Sequence, residues 1–130
     1  MTGRIDFRYD PVRDIVFAMP HWQIETLDDV RNWYLQYADY FEANFQGRKV
    51  DLVLDLADFR IGASIARLWG EYRARMNNTY TRHSYRVSSD PRVALYVKTS
   101  GVRYDASTYE APTEEDAVEG VMAARRSGGS

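Results

Sequence analysis

The first hydrophobic pattern along the chain is an alternation of apolar and polar side chains over residues 5–9. An Asp-Pro pair at residues 10–11 then favours a turn, because aspartate suits its first position and proline fixes φ at its second. A more continuous apolar segment, residues 15–19, follows and stops at Pro20. The pattern predicts an antiparallel hairpin over residues 4–19.

A helical period replaces this alternation after residue 26. Thr26 has the character of a helix N-cap, and Asp29 provides the acid of a capping box in its shorter form. Apolar side chains then recur every three or four residues until Gly47, with Trp33 and Tyr40 on one flank of the stripe. This is the clearest helix of the sequence. Its stripe consists of Leu27, Val30, Tyr34, Tyr37, Phe41 and Phe45.

The most continuous apolar run is VDLVLDL, at residues 50–56. A run of this kind is typical of a central strand with both faces covered, so we predict that it lies in the middle of the sheet. A second helical period begins at Ile65 and includes Trp69 and Met76. The pattern does not fix the end of this helix, because residues 77–79 weaken it while His83 still keeps its period.

The remaining sequence predicts a strand over residues 92–97, a further strand over residues 102–109, and a last helix. Thr113 caps that helix, acids fill its first turn at residues 114–116, and two arginines at residues 125–126 suit its negative end. The element order is β-β-α-β-α-β-(β)-α. It predicts an α/β fold in which helices cover a mixed sheet mainly on one face, behind an N-terminal hairpin.

Length and composition narrow both the domain organisation and the chemistry. The chain has 130 residues, enough for one core, and we predict a single domain over residues 1–126 with a flexible tail at residues 127–130. It contains no cysteine, which excludes disulfides, thiolate metal sites and cysteine nucleophiles. Its two histidines cannot form a zinc site alone. We therefore expect no metal and no cofactor.

The distribution of apolar residues also bears on location. No stretch approaches the roughly 18 apolar residues that a membrane span needs, and the N-terminus lacks the apolar run of a secretory signal. These patterns predict a cytoplasmic protein without a membrane span.

Charge is divided unevenly along the chain. The formal net charge is -2, yet residues 60–103 hold nine basic and two acidic side chains. Arginines there alternate with tyrosines, a composition that suits phosphate contacts and base stacking. The sequence pI of about 5.7 and the absence of a nucleic-acid-binding motif argue against nucleic acid. Pairing with acidic segments of the same fold is the favoured interpretation, ahead of an anionic protein or a lipid headgroup.

One set of residues could carry catalysis if the fold brought it together. Asp55 and Asp58 flank the end of the predicted central strand, where α/β sheets tend to place ligands, and His83 could serve as a general base. The favoured interpretation is structural: Asp55 satisfies loop amides, and Asp58 caps the second helix. Motifs for phosphate loops, nucleophile elbows and zinc proteases are missing from the sequence. We therefore predict a protein that is not an enzyme.

The element order resembles the STAS-like fold of anti-sigma-factor antagonists. The resemblance covers nearly the whole chain and is that of a divergent single-domain relative. The likeness includes LDLADF at residues 54–59, which leads into the second helix, and Tyr109 before EEDAV at residues 114–118. The family carries an Asp-Ser-Ser/Thr-Gly segment at this helix start, where a kinase phosphorylates a Ser or Thr. The corresponding stretch here is GASIA at residues 62–66, in which Ser64 matches and the preceding aspartate is missing.

This resemblance implies a non-enzymatic regulatory or scaffolding module that binds another protein, with a second copy of the chain as one candidate. The implied contact region runs from residue 58 to residue 67. Its site residues are Asp58, Arg60, Ser64 and Arg67, and Ser64 is the candidate for phosphorylation. An alternative class is a binder of a small apolar or lipid-like ligand, which the ten tyrosines and three tryptophans favour.

Overall fold

A computed structural model describes residues 3–87, 108–111 and 113–128. Within them, five strands form a sheet in the order β1-β2-β3-β5-β6, and β4 pairs with β2 beside it. The strand β1 is antiparallel to β2, and the other neighbouring strands are parallel. The elements in chain order are β1 (Arg4–Asp10), β2 (Ile15–Ile24), α1 (Leu27–Phe45), β3 (Val50–Asp55), β4 (Phe59–Ile61), α2 (Ala66–Tyr80), β5 (Thr81–Val87), β6 (Thr108–Ala111) and α3 (Glu114–Gly128).

The predicted central strand is confirmed. The strand β3 lies between β2 and β5, and its first five residues are buried because both faces of the sheet are covered there. On one face, Leu52 and Leu54 belong to the core beneath α1 and α2. On the other face, Val53 packs with Ala117 and Val121 of α3. The α/β class, the mixed sheet and the N-terminal hairpin are all as predicted, with two of these three helices on one face.

The helix α1 begins as its sequence indicates. The Thr26 hydroxyl accepts a hydrogen bond from the Asp29 amide at 3.1 Å, and the Asp29 carboxylate accepts one from the Thr26 amide at 3.0 Å. This reciprocal pair satisfies two backbone donors of the first turn. Trp33, which the pattern placed on a flank, instead lies in the core, where its ring meets Trp69 of α2 at 5.5 Å.

The hairpin is longer than predicted, because β2 continues beyond Pro20 to Ile24. Pro20 falls between Ala18, the last residue in register with β3, and Trp22, the first in register with β4. No parallel strand needs the missing N–H of Pro20 there, so proline does not end the strand. The extended end of β2 has its own partner, the three-residue strand β4, which is too short to show a period in the sequence.

The second helix ends at Tyr80, and β5 follows without a loop. The helical period that continued to His83 was therefore misleading, and β5 was missed. Its three fully buried positions are polar, Thr81, Ser84 and Arg86. A strand whose buried face is polar lacks the apolar alternation by which strands are recognised.

The C-terminal predictions have mixed outcomes. The strand predicted over residues 92–97 lies outside the described residues. Of the strand predicted over residues 102–109, only residues 108–109 are described, and they belong to β6. The Thr113 hydroxyl accepts a hydrogen bond from the Asp116 amide at 3.1 Å, so it caps α3 as predicted. The helix extends to Gly128, two residues into the predicted tail, and the domain division at residue 126 stays a prediction.

Candidate functional site

The predicted contact region forms the link from β3 through β4 to α2. We call Asp58, Arg60, Ser64 and Arg67 the junction surface, and all four residues are exposed. Between them, Phe59 and Ile61 of β4 point into the core, because successive residues of a strand face opposite sides. The buried pair anchors the link, so the exposed charges stand on a supported backbone.

Two backbone hydrogen bonds fasten this link to β2. The Trp22 amide donates to the Asp58 carbonyl at 3.2 Å, and the Gly62 amide donates to the Ile24 carbonyl at 2.8 Å. The Asp58 side chain does not cap α2, contrary to prediction, because the helix begins only at Ala66 after Ile65 as its N-cap residue. The intervening strand β4 moves the helix start eight residues beyond Asp58.

Ser64 lies exposed in the turn that leads into α2. The Ile65 amide closes that turn by donating to the Gly62 carbonyl at 3.2 Å. The start of α2 has no side-chain cap and no acidic residue in its first turn. An uncapped helix start of this kind carries the partial positive charge that attracts anions.

A histidine that the sequence analysis did not single out holds Asp58. The His21 ring places Nδ1 2.6 Å from the Asp58 carboxylate and Nε2 2.8 Å from the Asp6 carboxylate. The hydrogen bond with Asp58, followed by that with Asp6, raises the pKa of His21. In turn, the bond with His21 lowers the pKa of Asp6. Asp58 and Asp6 are 37 and 15 residues away from His21 in sequence, so no local motif predicts these contacts.

The proposed catalytic set does not converge. Asp55 accepts the Ala57 amide at 3.0 Å, as its structural interpretation predicted, whereas His83 Nδ1 lies 2.8 Å from Asp51. Asp51 and Asp55 are four positions apart in β3, roughly 13 Å along a strand. His83 is thus at the opposite edge of the sheet from Asp55 and Asp58, and the enzyme alternative that needed them in one cleft is wrong.

Instead, His83 belongs to a set of ionic contacts that we call the amino-edge network: Asp14, Arg48, Asp51, Arg82, His83 and Arg125. At its centre, the fully buried Asp51 carboxylate meets the Arg125 guanidinium at 2.6 Å and that of Arg82 at 3.3 Å. Arg48 donates to Asp14 at 2.8 Å, and this bond, together with one from Tyr9, lowers the pKa of Asp14. The network was missed, although a lone aspartate inside an apolar run was its signal.

The basic middle of the sequence does not form one continuous basic face among the described residues. Arg73 and Arg86 are 1% and 3% exposed, and Arg82 pairs with Asp14 and Asp51. Burial, with the nearby charge of Arg86, lowers the pKa of Arg73 to about 9. Of the six arginines of this segment that the structure describes, two are therefore buried, and Arg82 pairs with acidic side chains of the same fold, as the favoured interpretation predicts.

The space between the helices and the sheet is almost filled. In the part of the chain that the structure describes, the cavity between Trp33, Leu54 and Trp69 has a volume of about 10 Å³, room for a single water. A concavity of about 220 Å³ on the α3 side includes Phe17 and Val53, but it is smaller than the roughly 300–1,000 Å³ of typical ligand sites. A larger groove, of about 890 Å³ around His21, is open to solvent and lined mainly by polar and charged side chains. Among the described residues, the binder of a small apolar or lipid-like ligand therefore lacks the enclosed apolar cavity that it requires.

No group of three or more His, Asp or Glu side chains is placed to hold a metal ion within residues 3–87, 108–111 and 113–128. None of the helices described there has the length and apolar character to cross a membrane.

Comparison with known proteins adds the fold relationship. No protein-family model and no curated protein matches the sequence. Among solved structures, the chain is similar to an anti-sigma factor antagonist from Mycobacterium paratuberculosis, with a TM-score of 0.57 and 13% sequence identity. The alignment covers 92% of this chain and 95% of that one. The chain therefore has the STAS-like fold of anti-sigma-factor antagonists, in a form with little sequence likeness to this neighbour.

Proposed function

We propose that this chain is a non-enzymatic regulatory module of the cytoplasm that binds another protein through the junction surface. The observation that carries the proposal is the arrangement of β4 and the start of α2. Buried Phe59 and Ile61 fix the backbone, while Asp58, Arg60 and Arg67 project to solvent. Charged residues on a link supported by a rigid scaffold are a common form of recognition site.

The structural neighbour supports a protein partner. It is described as an anti-sigma factor antagonist, a name that implies action on another protein. The exposed charged side chains of the junction surface also suit the polar rim of a protein interface. A second copy of this chain is one candidate partner.

The test is a binding measurement with matched charge reversals. A partner is captured with the wild-type chain from its host, purified, and titrated with Arg67→Glu and with Arg31→Glu, which alters an exposed arginine of α1. We expect Arg67→Glu to weaken binding at least tenfold, about 1.4 kcal/mol, and Arg31→Glu to change it less than twofold. Both variants should keep the thermal midpoint of the wild type, because both arginines are exposed. If Arg67→Glu and Arg60→Glu both bind as tightly as the wild type, the junction surface is not the contact.

We also propose that phosphorylation of Ser64 regulates this surface. Ser64 is accessible, and a phosphate there would meet the uncapped, acid-free start of α2 and the charge of Arg67. Intact mass spectrometry of the protein from its host should show a phosphorylated species that the Ser64→Ala variant lacks. A phosphate that persists in Ser64→Ala would contradict the assignment.

A further inference from the structure

His21 has a carboxylate on each side of its ring. Nδ1 lies 2.6 Å from Asp58 of the turn after β3, and Nε2 lies 2.8 Å from Asp6 of β1. An ionised carboxylate only accepts hydrogen bonds, whereas neutral imidazole has just one N–H. Both contacts can be hydrogen bonds at the same time only when both ring nitrogens carry a proton. The geometry is therefore that of an imidazolium between two aspartates.

We propose that His21 is a positioning residue of the junction surface: its imidazolium clamps the turn after β3 to β1, and the clamp opens when the ring loses its proton. Neutral His21 keeps one donor, so one of the two carboxylates must be released. Release of either one breaks the side-chain link that runs from β1 through His21 to the turn.

Charged groups on all the neighbouring segments bear on the ring. Asp6 and Asp58 favour its protonated form, and Arg4 of β1 opposes it. The open groove around His21, about 890 Å³, also includes Glu25, Asp29 and Arg60. The carboxylates of Glu25 and Asp29 are engaged elsewhere, by the Gln23 side-chain amide at 2.6 Å and by the Thr26 amide at 3.0 Å. Asp6 and Asp58 are thus the acids that contact the ring.

The direction of the pH effect follows from these contacts. The pKa of His21 is raised by its bonds with Asp58 and Asp6, so the folded chain retains the proton to a higher pH than the unfolded chain. The clamp is complete below the ordinary histidine value near 6.5 and is lost as the pH rises through the raised value. Histidine is the side chain whose ordinary pKa lies nearest to physiological pH, which is why it commonly serves as a proton switch.

The clamp acts on a residue of the junction surface. Asp58 is bound to β2 through its carbonyl, which accepts the Trp22 amide at 3.2 Å, and to His21 through its side chain. Loss of the side-chain contact leaves the turn with its backbone bonds only. If the junction surface is the contact, which rests on the proposed function, partner affinity falls as His21 deprotonates.

The test needs no partner. Imidazole nitrogen NMR follows His21 with pH in the wild type, Asp58→Asn, Asp6→Asn and the double variant. We expect each single variant to lower the His21 pKa and the double variant to bring it near the ordinary value. Amide hydrogen exchange at Trp22, corrected for intrinsic pH dependence, should accelerate about two- to fivefold on deprotonation in the wild type, as expected for an exposed ionic contact.

The matched control is Glu25→Gln, which removes a carboxylate from the same groove without a contact to His21. It should leave the His21 pKa close to that of the wild type. An unchanged His21 pKa in the Asp58→Asn, Asp6→Asn double variant would overturn the clamp, as would Trp22 exchange that does not follow the His21 titration. These readouts lie within the chain, so they can succeed even if Arg67→Glu shows that the junction surface binds no partner.

Discussion

At the amino edge of the sheet, Asp51 is 0% exposed and contacts the side chains of Arg82, His83 and Arg125. At the carboxyl edge, the Asp58 side chain is 70% exposed and contacts His21 alone among the described residues. The two aspartates are seven positions apart on consecutive parts of the same fold, yet their surroundings differ completely. Asp51 links β5 and α3 to β3 inside the fold, whereas Asp58 contacts His21 and remains largely exposed to solvent.

The difference separates charged side chains that stabilise the fold from charged side chains that are exposed for binding. A buried carboxylate is tolerated only when paired and hydrogen-bonded, so we expect the contacts of Asp51 in the amino-edge network to contribute strongly to the stability of the fold. An exposed ion pair contributes little stability, so the residues of the junction surface can vary without loss of the fold.

The largest loss of stability is expected for Asp51→Asn. It leaves Arg125 and Arg82 without their shared carboxylate, and we expect the free energy of unfolding to fall by roughly 3 kcal/mol. Urea denaturation measures the change. The matched control is Asp55→Asn in the same strand, which weakens one amide contact and should cost at most about 1 kcal/mol. Equal losses of stability in the two variants would contradict the prediction that the buried carboxylate of Asp51 contributes more to the fold than that of Asp55.

A smaller loss is expected for Arg125→Met, because the methionine keeps much of the apolar stem. Arg125 joins α3 to Asp51 and to the Asp14 carbonyl, which it reaches at 2.8 Å. Losing these charged hydrogen bonds should lower the free energy of unfolding by about 1.5–3 kcal/mol. Its neighbour Arg126 is exposed, and Arg126→Met should change stability by under about 0.5 kcal/mol. A comparable loss of stability from both substitutions would show that the contacts of Arg125 do not stabilise the packing of α3.

The smallest change in stability is expected for the Asp14–Arg48 ion pair, and it depends on pH. The pKa of Asp14 is lowered first by Arg48, so the pair stabilises the fold above the ordinary value of 3.8 and the gain disappears as the pH falls through the lowered value. We expect Arg48→Met to cost under about 1 kcal/mol at pH 7, and the difference from the wild type to shrink at pH 2. Thermal denaturation at both pH values provides the measurement, with exposed Lys49→Met as control. A difference that persists at pH 2 would assign the effect to packing.

Local rules predicted a large part of this fold. The capping box of Thr26 and Asp29 involves neighbours in sequence, and continuous apolar residues at positions 50–56 predicted the central strand. Both signals are local, so they survive without knowledge of tertiary contacts. The exposure of Ser64 and Arg67 likewise agrees with their place outside the apolar period of α2.

The parts that failed depend on distant partners. The strand β5 buries Thr81, Ser84 and Arg86, polar residues that resemble an exposed segment until their surroundings are known. Asp51 meets Arg125 across 74 residues, and His21 meets Asp58 across 37. Pairings of this separation are fixed by the sheet order, which the sequence pattern did not determine. The same limit led to the wrong role for Asp58, since β4 was not foreseen.

The central claim is that binding takes place at the junction surface and not at the amino edge. Amide hydrogen exchange of the chain, alone and in complex with its captured partner, tests it directly. The account predicts partner-dependent protection within residues 57–68, with exchange near Arg48, Arg82 and Arg125 unchanged. Protection confined to the amino edge, with residues 57–68 exchanging as in the free chain, would contradict it.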